Sequence, residues 1–410
     1  QKKIQIIVRK AGRNARFLVW YNGSARKGIG KDRKRTMEKW EYAAPCLFGI
    51  EGILGDELKR MDAQDVRVQN GRVLFSGGPD LLARANIGSR YAERIQVHLG
   101  SFRAVSFEEL FQGVRALPWE NWIGKKDAFP VKGWSLSSAL HSVPDCQSII
   151  KKAIVERLKS VYGLSWFEES GAVVQVQFTL LKDEATLLLD TSGPGLHKRG
   201  YRQNAGGAPI KETLAAAMVD LTRARLAERV VDPCCGSGTL LIEAALAAKR
   251  IAPGIRRRFA AMRWDAVPSG VWEEERSRAR EQILEDKEFE AFGGDIDPEA
   301  VRLTLENAEK AGVGTSVAAA VQDLRAFRPE GENGVVLCNP PYGERLLDVK
   351  AAEELYRIMG RVFQPKKGWT YAVISPHEDF EALFGRKADK RRKLYNGMLK
   401  CQLYLYYRAG

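Results

Sequence analysis

Four short stretches carry residues whose types and spacing could do chemistry. The apolar run Val335-Val336-Leu337-Cys338 reads as a buried strand, and it stops at Asn339-Pro340-Pro341-Tyr342. Two prolines end ladder pairing and hold the chain extended. The strand therefore delivers a stiff shelf bearing one amide and one flat ring, although a plain proline turn would look the same. In "VVDPCCGSGTLL" (230–241), Asp232 closes a strand and Gly236 and Gly238 let the backbone approach a ligand before a helix begins at Thr239. A dinucleotide fingerprint needs glycine where Leu241 stands, and the Gly-Lys-Ser/Thr of a phosphate loop does not occur. The loop suits a ligand without a pyrophosphate, and the acid ahead of the glycines favours a cationic head. "FGGDIDP" places Asp295 where a carboxylate can take both hydroxyls of a ribose. "VQDLRAF" places Asp323 where it could accept from an adenine amino group. Each aspartate alone reads more readily as a helix cap than as a ligand. Four consecutive strand ends, each with a suitable group, favour one shared site.

Those ends meet only if the elements behind them form one sheet. From about residue 208 strands and helices alternate: helix 209–226, strand 229–232, helix 238–249, strand 290–295, helix 298–311, strands 315–322 and 334–338, helix 351–364 and strand 369–375. This order predicts an α/β fold with a parallel, doubly wound sheet whose ligand lies at the strands' carboxyl ends. The tail "LYNGMLKCQLYLYY" turns at Asn396-Gly397 into an alternating strand, 398–407, predicting a C-terminal antiparallel hairpin on that sheet. Asp295 lies about forty residues further from the first loop than in the usual unit, so 250–289 is an insertion.

Upstream the grammar differs. Strand 41–46, helix 48–61, a hairpin around Asn70-Gly71, helix 79–87 and strand 93–99 give a β-α-β-β-α-β, ferredoxin-like unit. Helix 107–116, strand 129–137, an amphipathic helix ending at Gly163 and a hairpin turned at Lys182-Asp183-Glu184 make a second α+β unit over about 100–192. Gly193-Pro194-Gly195 then breaks the pattern. The expected domains are thus 37–99, 100–192 and 193–410.

At 410 residues the chain has room for two or three domains. No apolar run is long enough to span a bilayer, and no signal peptide is read. Six scattered cysteines include one close pair, Cys234-Cys235, with no second pair to complete a zinc site. They read as reduced thiols of a cytoplasmic protein without a metal. The net charge of +14 points to nucleic acid, but residues 1–36 hold twelve Lys/Arg against one acid. The remainder is close to neutral, so local clusters must carry that case. Met37 opens an ordinary domain start. The expectation is that Met37 is the natural initiator and that 1–36 are upstream translated sequence; the competing reading is a basic RNA-binding arm.

"DPCCGSGT", "GGDIDP", "VQDL" and "CNPPYGER" together resemble the class I S-adenosylmethionine-dependent methyltransferases that modify exocyclic amines. "LHKRGYR" (196–202), "APIKETLAAAM" (208–218), "IAPG" (251–254) and "LYNG" (394–397) narrow the resemblance to the THUMP-domain guanine-N2-methyltransferases of large-subunit rRNA. "PDCQSIIKKAIVERL" (144–158) is similar to the THUMP helix. The resemblance runs from about 37 to 410; residues 1–36 have no counterpart in it. It implies S-adenosylmethionine as cofactor and RNA as partner. Asp232, Gly236, Ser237 and Gly238 would hold the methionine part, Asp295 the ribose and Ile296 one adenine face. Asp323 and Leu324 would meet the adenine edge, and Ala208-Pro209 would close the pocket. Asn339, Pro340 and Pro341 would receive the target base, with Tyr342 stacked on it.

The resemblance also answers what the shelf is for. An exocyclic amine is a poor nucleophile because its lone pair is delocalised into the ring. Two acceptors, the Asn339 side-chain oxygen and the Pro340 carbonyl, would hold its hydrogens and turn the lone pair toward the methyl. The same shelf accepts the N6 amine of adenine. Cys338 reads as core packing rather than a nucleophile. RNA contact is expected from Lys198, Arg199, Tyr201 and Arg202, from Arg256 and Arg257, and from Lys390, Arg391 and Arg392, although each run alone fits a solvated surface. The alternatives are a THUMP tRNA guanine-N2-methyltransferase, an adenine-N6 enzyme and a non-catalytic RNA-binding assembly factor.

Overall fold

The structure, a computed structural model, describes residues 39–202, 210–342 and 349–407. The basic tail expected over 1–36 and Met37 lie outside them.

The chain opens with β1 (Trp40–Pro45), α1 (Glu51–Arg60), β2 (Gln64–Gln69), β3 (Arg72–Gly77), α2 (Pro79–Gly88) and β4 (Gln96–Arg103). It continues through α3 (Phe107–Arg115), β5 (Val131–Leu136), α4 (Val143–Tyr162), β6 (Val176–Leu181) and β7 (Glu184–Asp190). All seven strands form one sheet, ordered β2-β3-β1-β4-β7-β6-β5. β4 is the shared strand: Val97 faces Tyr42 of β1, while the strand runs against β7 from Gln96↔Asp190 to Arg103↔Glu184. The boundary expected at 99/100 therefore falls inside β4, and the two α+β units share a sheet. The β6–β7 turn has positive φ at both Lys182 and Asp183, between the paired residues Leu181 and Glu184. That is the twist-matched two-residue hairpin turn, reached here without glycine.

The second half holds α5 (Glu212–Leu221), β8 (Arg229–Asp232), α6 (Thr239–Ala248), α7 (Gly270–Glu281), β9 (Glu290–Asp295), α8 (Pro298–Ala311) and β10 (Val317–Val321). Next come β11 (Gly334–Cys338), α9 (Val349–Val362), β12 (Trp369–Ser375), α10 (Phe380–Phe384), β13 (Lys390–Asn396) and β14 (Leu399–Tyr406). The sheet order is β10-β9-β8-β11-β12-β14-β13, parallel through β12 and antiparallel at β14 and β13. The chain winds outward from β8 to β10, then returns to place β11 on the other flank of β8. That reversal opens a crevice at the carboxyl ends of β8 and β11, where such sheets bind ligands. No described helix is long and apolar enough to cross a membrane.

Three elements depart from the sequence reading. α5 is shorter than the helix expected over 209–226. β13 is a full strand, although its first four residues are cations and read as a surface run. The insertion contains α7, a mostly charged helix that buries only Trp272 and Glu275. α7 is held by Trp272, stacked on Phe259 at 5.4 Å between centroids, and by a long-range ion pair. The Arg84 fork on α2 donates from Nε to Glu275 Oε2 at 2.8 Å and from Nη2 to Oε1 at 2.7 Å. Nearby, the Gly254 N–H donates to the Ile87 carbonyl at 2.8 Å. A Cβ on Gly254 would lie 2.7 Å from the Asn86 carbonyl oxygen, so only glycine allows this approach. Trp264 Nε1 donates to Val173 O at 3.0 Å. The insertion thus stitches the second sheet to the first.

Candidate active site

The four strand ends lie at one edge of the second sheet. Register places Asp232 of β8 beside Gly293 of β9, and Asp295 beside Val321 of β10. Val231 pairs with Val336, so Asn339 leaves β11 just beyond Asp232.

The Asp232 carboxyl is only 2% exposed, and its Oδ1 accepts from the Cys234 N–H at 3.1 Å. Burial pushes it up to about 8, with the nearby Asp295 charge adding to the rise; the Cys234 N–H and the Cys338 thiol oppose it. The following loop takes left-handed backbone at Gly236 (φ +54°) and Gly238 (φ +77°). A Cβ at Gly236 would point into open space, whereas one at Gly238 would strike Thr304 of α8 at 2.8 Å. Gly236 therefore leaves open space where a side chain would stand, its N–H and carbonyl being taken by Asp295 and Thr304, and Gly238 lets α8 close against the loop. Thr304 Oγ1 donates to Gly236 O at 2.9 Å and Asn307 Nδ2 to Ser237 O at 3.0 Å. Ser237 is itself buried.

Asp295 is tied to this loop: its Oδ2 accepts from the Gly236 N–H at 2.9 Å and its Oδ1 from the Asp297 N–H at 3.1 Å. Ile296 stands 72% exposed beside it, an apolar side chain turned out to solvent. Asp297 caps α8 through the Glu299 N–H at 2.9 Å. Asp323 caps a single turn at 324–326, its two oxygens taking the Arg325 N–H at 2.8 Å and Arg325 Nη1 at 2.9 Å. The Arg325 N–H, then its guanidinium, holds this carboxyl below the usual range. Leu324 turns its side chain into the core beside Phe327 and Val336, leaving only backbone to face a ligand. Ala208 and Pro209 lie outside the described residues.

On the shelf, Pro340 is buried and Asn339, Pro341 and Tyr342 are half-buried. Asn339 Oδ1 is shut off from solvent yet accepts no hydrogen bond among the described residues. A buried amide oxygen without a donor costs roughly 1–3 kcal/mol, and it is the kind of atom a ligand N–H would satisfy. Tyr342 Oη accepts from Asn396 Nδ2 at 2.7 Å. The reading of local sequence missed Asn396 as a partner, because 54 residues separate the pair. Cys338 is fully buried, as expected of a packing residue.

The expected RNA-binding cations divide. Arg199 and Tyr201 are buried, which corrects that expectation: Arg199 donates to Leu196 O at 2.8 Å and Arg90 O at 2.6 Å and lies 3.4 Å from Glu243, and the Tyr201 hydroxyl donates to Glu243 at 3.1 Å. Arg202 is spent on Glu212 at 3.1 Å and on Ile210 O at 2.9 Å. Arg257 binds the Pro194 and Gly195 carbonyls at 2.6 and 3.1 Å. These side chains clamp the linker between the sheets. Lys198 and Arg256 are exposed, as are Lys390, Arg391 and Arg392 along edge strand β13.

Comparison with known proteins agrees with this geometry. Residues 41–96 match the RlmL ferredoxin-like domain, 104–190 the THUMP domain and 199–404 the methyltransferase domain described as RMKL-like. YpsC of Bacillus subtilis (strain 168), named as a candidate RNA methyltransferase, is 44% identical over 373 residues, 90% of this chain and 97% of its own. SMU.472, a candidate methyltransferase solved with S-adenosylhomocysteine, is 42% identical with a TM-score of 0.87, over 92% of this chain and 100% of that one. A Listeria monocytogenes (str. 4b F2365) protein described as a predicted N6-adenine-specific DNA methylase is 43% identical with a TM-score of 0.85, over 91% of this chain and 97% of that one. With its RlmL ferredoxin-like and THUMP domains packed ahead of a sheet whose four strand ends converge on one crevice, the chain belongs to the RMKL-like methyltransferase family.

Proposed function

We propose that this THUMP-containing RNA methyltransferase methylates the exocyclic N2 amine of a guanine in large-subunit (23S) rRNA. S-adenosylmethionine is the cofactor, and it supplies an electrophilic methyl group. The crevice fits it: a buried acid at Asp232 for the cationic methionine end, open space over Gly236, a carboxylate at Asp295 for ribose hydroxyls and an exposed apolar side chain at Ile296. Asp323 and the Leu324 backbone stand at the adenine side.

The observation that carries the reading is the unsatisfied Asn339 Oδ1 on the diproline shelf. Asn339 Oδ1 and the Pro340 carbonyl take the two amine hydrogens and aim the nitrogen lone pair. Tyr342 holds the base after it leaves its stack, an interaction worth about 1–3 kcal/mol. The chain's contribution is therefore orientation and fixed dipoles. The exposed cations of β13 take RNA phosphates. The domains read as a ferredoxin-like unit and a THUMP unit that dock RNA, over 37–99 and 100–192 with β4 shared between them, and a methyltransferase unit over 193–410.

The Listeria relative's description favours a second reading, adenine N6. Nucleoside mass spectrometry of rRNA and tRNA from a strain lacking the gene separates the two. Loss of N2-methylguanosine from 23S rRNA supports the proposal. Loss of N6-methyladenosine, or of a tRNA modification only, overturns it.

A further inference from the structure

Next to the shelf lies a second feature that the mechanism above leaves unused. A cavity of about 510 Å³ opens between α9, the loop after β12 and the β13–β14 hairpin, with Tyr342 forming part of its wall. Tyr356 and Tyr404 add aromatic surface, and Glu378 and Lys400 bring opposite charges to the lining. The volume lies within the roughly 300–1,000 Å³ range of small-molecule sites. Both side chains are exposed, and neither the Glu378 carboxylate nor the Lys400 ammonium is held by a hydrogen bond or ion pair among the described residues. Two neighbours in the lining have partners: His377 Nδ1 accepts from the Asp379 N–H at 3.1 Å, and the exposed Arg391 lies 3.4 Å from Glu381.

We infer that this cavity is the nucleobase pocket and that Glu378 selects guanine by accepting its N1–H; the inference rests on the guanine-N2 reading. The chemistry is a matter of which atom neighbours the amine. Of the three amino bases, guanine alone carries a ring N–H beside its exocyclic nitrogen. In adenine and cytosine the corresponding ring nitrogen presents a lone pair. With the amine on Asn339, just after β11, a carboxylate from the loop after the neighbouring strand β12 would attract guanine N1–H and repel the lone pair of the other two. Guanine's next atom, O6, is an acceptor, which suits the ammonium of Lys400. Glu378 and Lys400 stand exposed at the cavity's rim; a base seated there would cover them, so a mismatched one is rejected because it leaves them opposed or unpaired.

The test uses the full chain and RNA from a strain lacking the enzyme, comparing wild type with Glu378→Gln, Glu378→Ala and Glu378→Asp. Single-turnover kcat/KM, product nucleosides by mass spectrometry and S-adenosylhomocysteine affinity by calorimetry are read together. We expect N2-methylguanosine from the wild type. The Gln and Ala variants should lose about 10- to 100-fold in kcat/KM, with cofactor affinity unchanged, and the Asp variant should regain part of the loss. Wild-type kcat/KM in the Gln and Ala variants, with N2-methylguanosine as product, overturns the role of Glu378 and leaves the guanine reading intact. N6-methyladenosine from the wild type overturns that reading, and this inference with it.

Discussion

The side-chain amide of Asn396 donates a 2.7 Å hydrogen bond to the phenol oxygen of Tyr342. Asn396 ends β13, and Tyr395 beside it meets the Phe48 ring edge-on at 5.7 Å between centroids. A Cβ at Gly49 would come within 2.4 Å of the Lys393 carbonyl oxygen, so the loop after β1 is pressed onto the hairpin. Tyr342 is thus braced by a hairpin that in turn rests on the first sheet.

This bracing can be measured. Asn396→Ala and Tyr342→Phe both delete the bond, and each should lower single-turnover methylation about 2- to 10-fold, the worth of one neutral hydrogen bond. Cofactor affinity should hold in both. The double variant should lose less than the product of the singles; full multiplicativity would show that the two side chains act independently.

Asn339→Ala should cut turnover roughly 100-fold or more, as removal of an oriented polar group does, while S-adenosylmethionine affinity stays near wild type. Because the deleted acceptor is buried and unpaired, the thermal midpoint should hold or rise. Calorimetry and a melting curve beside the rate decide it: equal losses in rate and cofactor binding would move Asn339 out of the base site.

Asp232 supplies a pH dependence. Its carboxyl is pushed up to about 8 from an ordinary value of 3.8. Between those values the folded chain keeps a proton that the unfolded chain has released, so this group lowers stability as pH rises through the window. A cofactor with a cationic end needs the carboxylate, so its binding should expel the proton. Affinity should climb toward tenfold per pH unit below about 8 and level off above it. Calorimetry in buffers of different ionisation enthalpy should report the released proton. Asp232→Asn should abolish both effects; a slope that survives the substitution would place the titrating group elsewhere.

The two classes of cation should separate by assay. Arg199→Ala strands Glu243 in the core and should cost about 3–5 kcal/mol in urea unfolding, a consequence of burial rather than RNA binding. Neutralising Lys390, Arg391 and Arg392 should leave stability nearly unchanged and flatten the salt dependence of RNA binding, by about 0.7–0.9 in log–log slope for each phosphate no longer neutralised. An unchanged slope would mean that this cationic strand only guards the sheet edge against pairing.

The sequence made the strand ends and hairpins legible because each is written in neighbouring residues: an aspartate closing an apolar run, glycines before a helix, Asn-Gly between alternating strands. It hid what depends on distant partners. Arg199 reads as a surface cation until Glu243, 44 residues on, is seen beside it. α7 presents little more than Val271, Trp272 and Ala279 to the core, and its Glu275 is held by Arg84, 191 residues earlier. β13 begins with charges that belong to an exposed sheet edge, and its tip reaches Tyr342 only in three dimensions. The joining of two α+β units through β4 is a matter of long-range register, which no local pattern encodes.

The stitching of the insertion to α2 has a consequence for how the protein is made. The residues that neutralise Glu275 and Glu243, namely Arg84 and Arg199, both precede them in the chain. A nascent chain emerges amino end first, and domains generally fold in that order. The first sheet can therefore close before β8 leaves the ribosome, and it waits as a template with its cations in place. The second half arrives bearing acids that it cannot bury alone and settles on a surface already built to receive them. Synthesis in the reverse order, as in a circular permutant that begins at residue 210, would expose those acids to the interior without partners and should fold slowly or not at all.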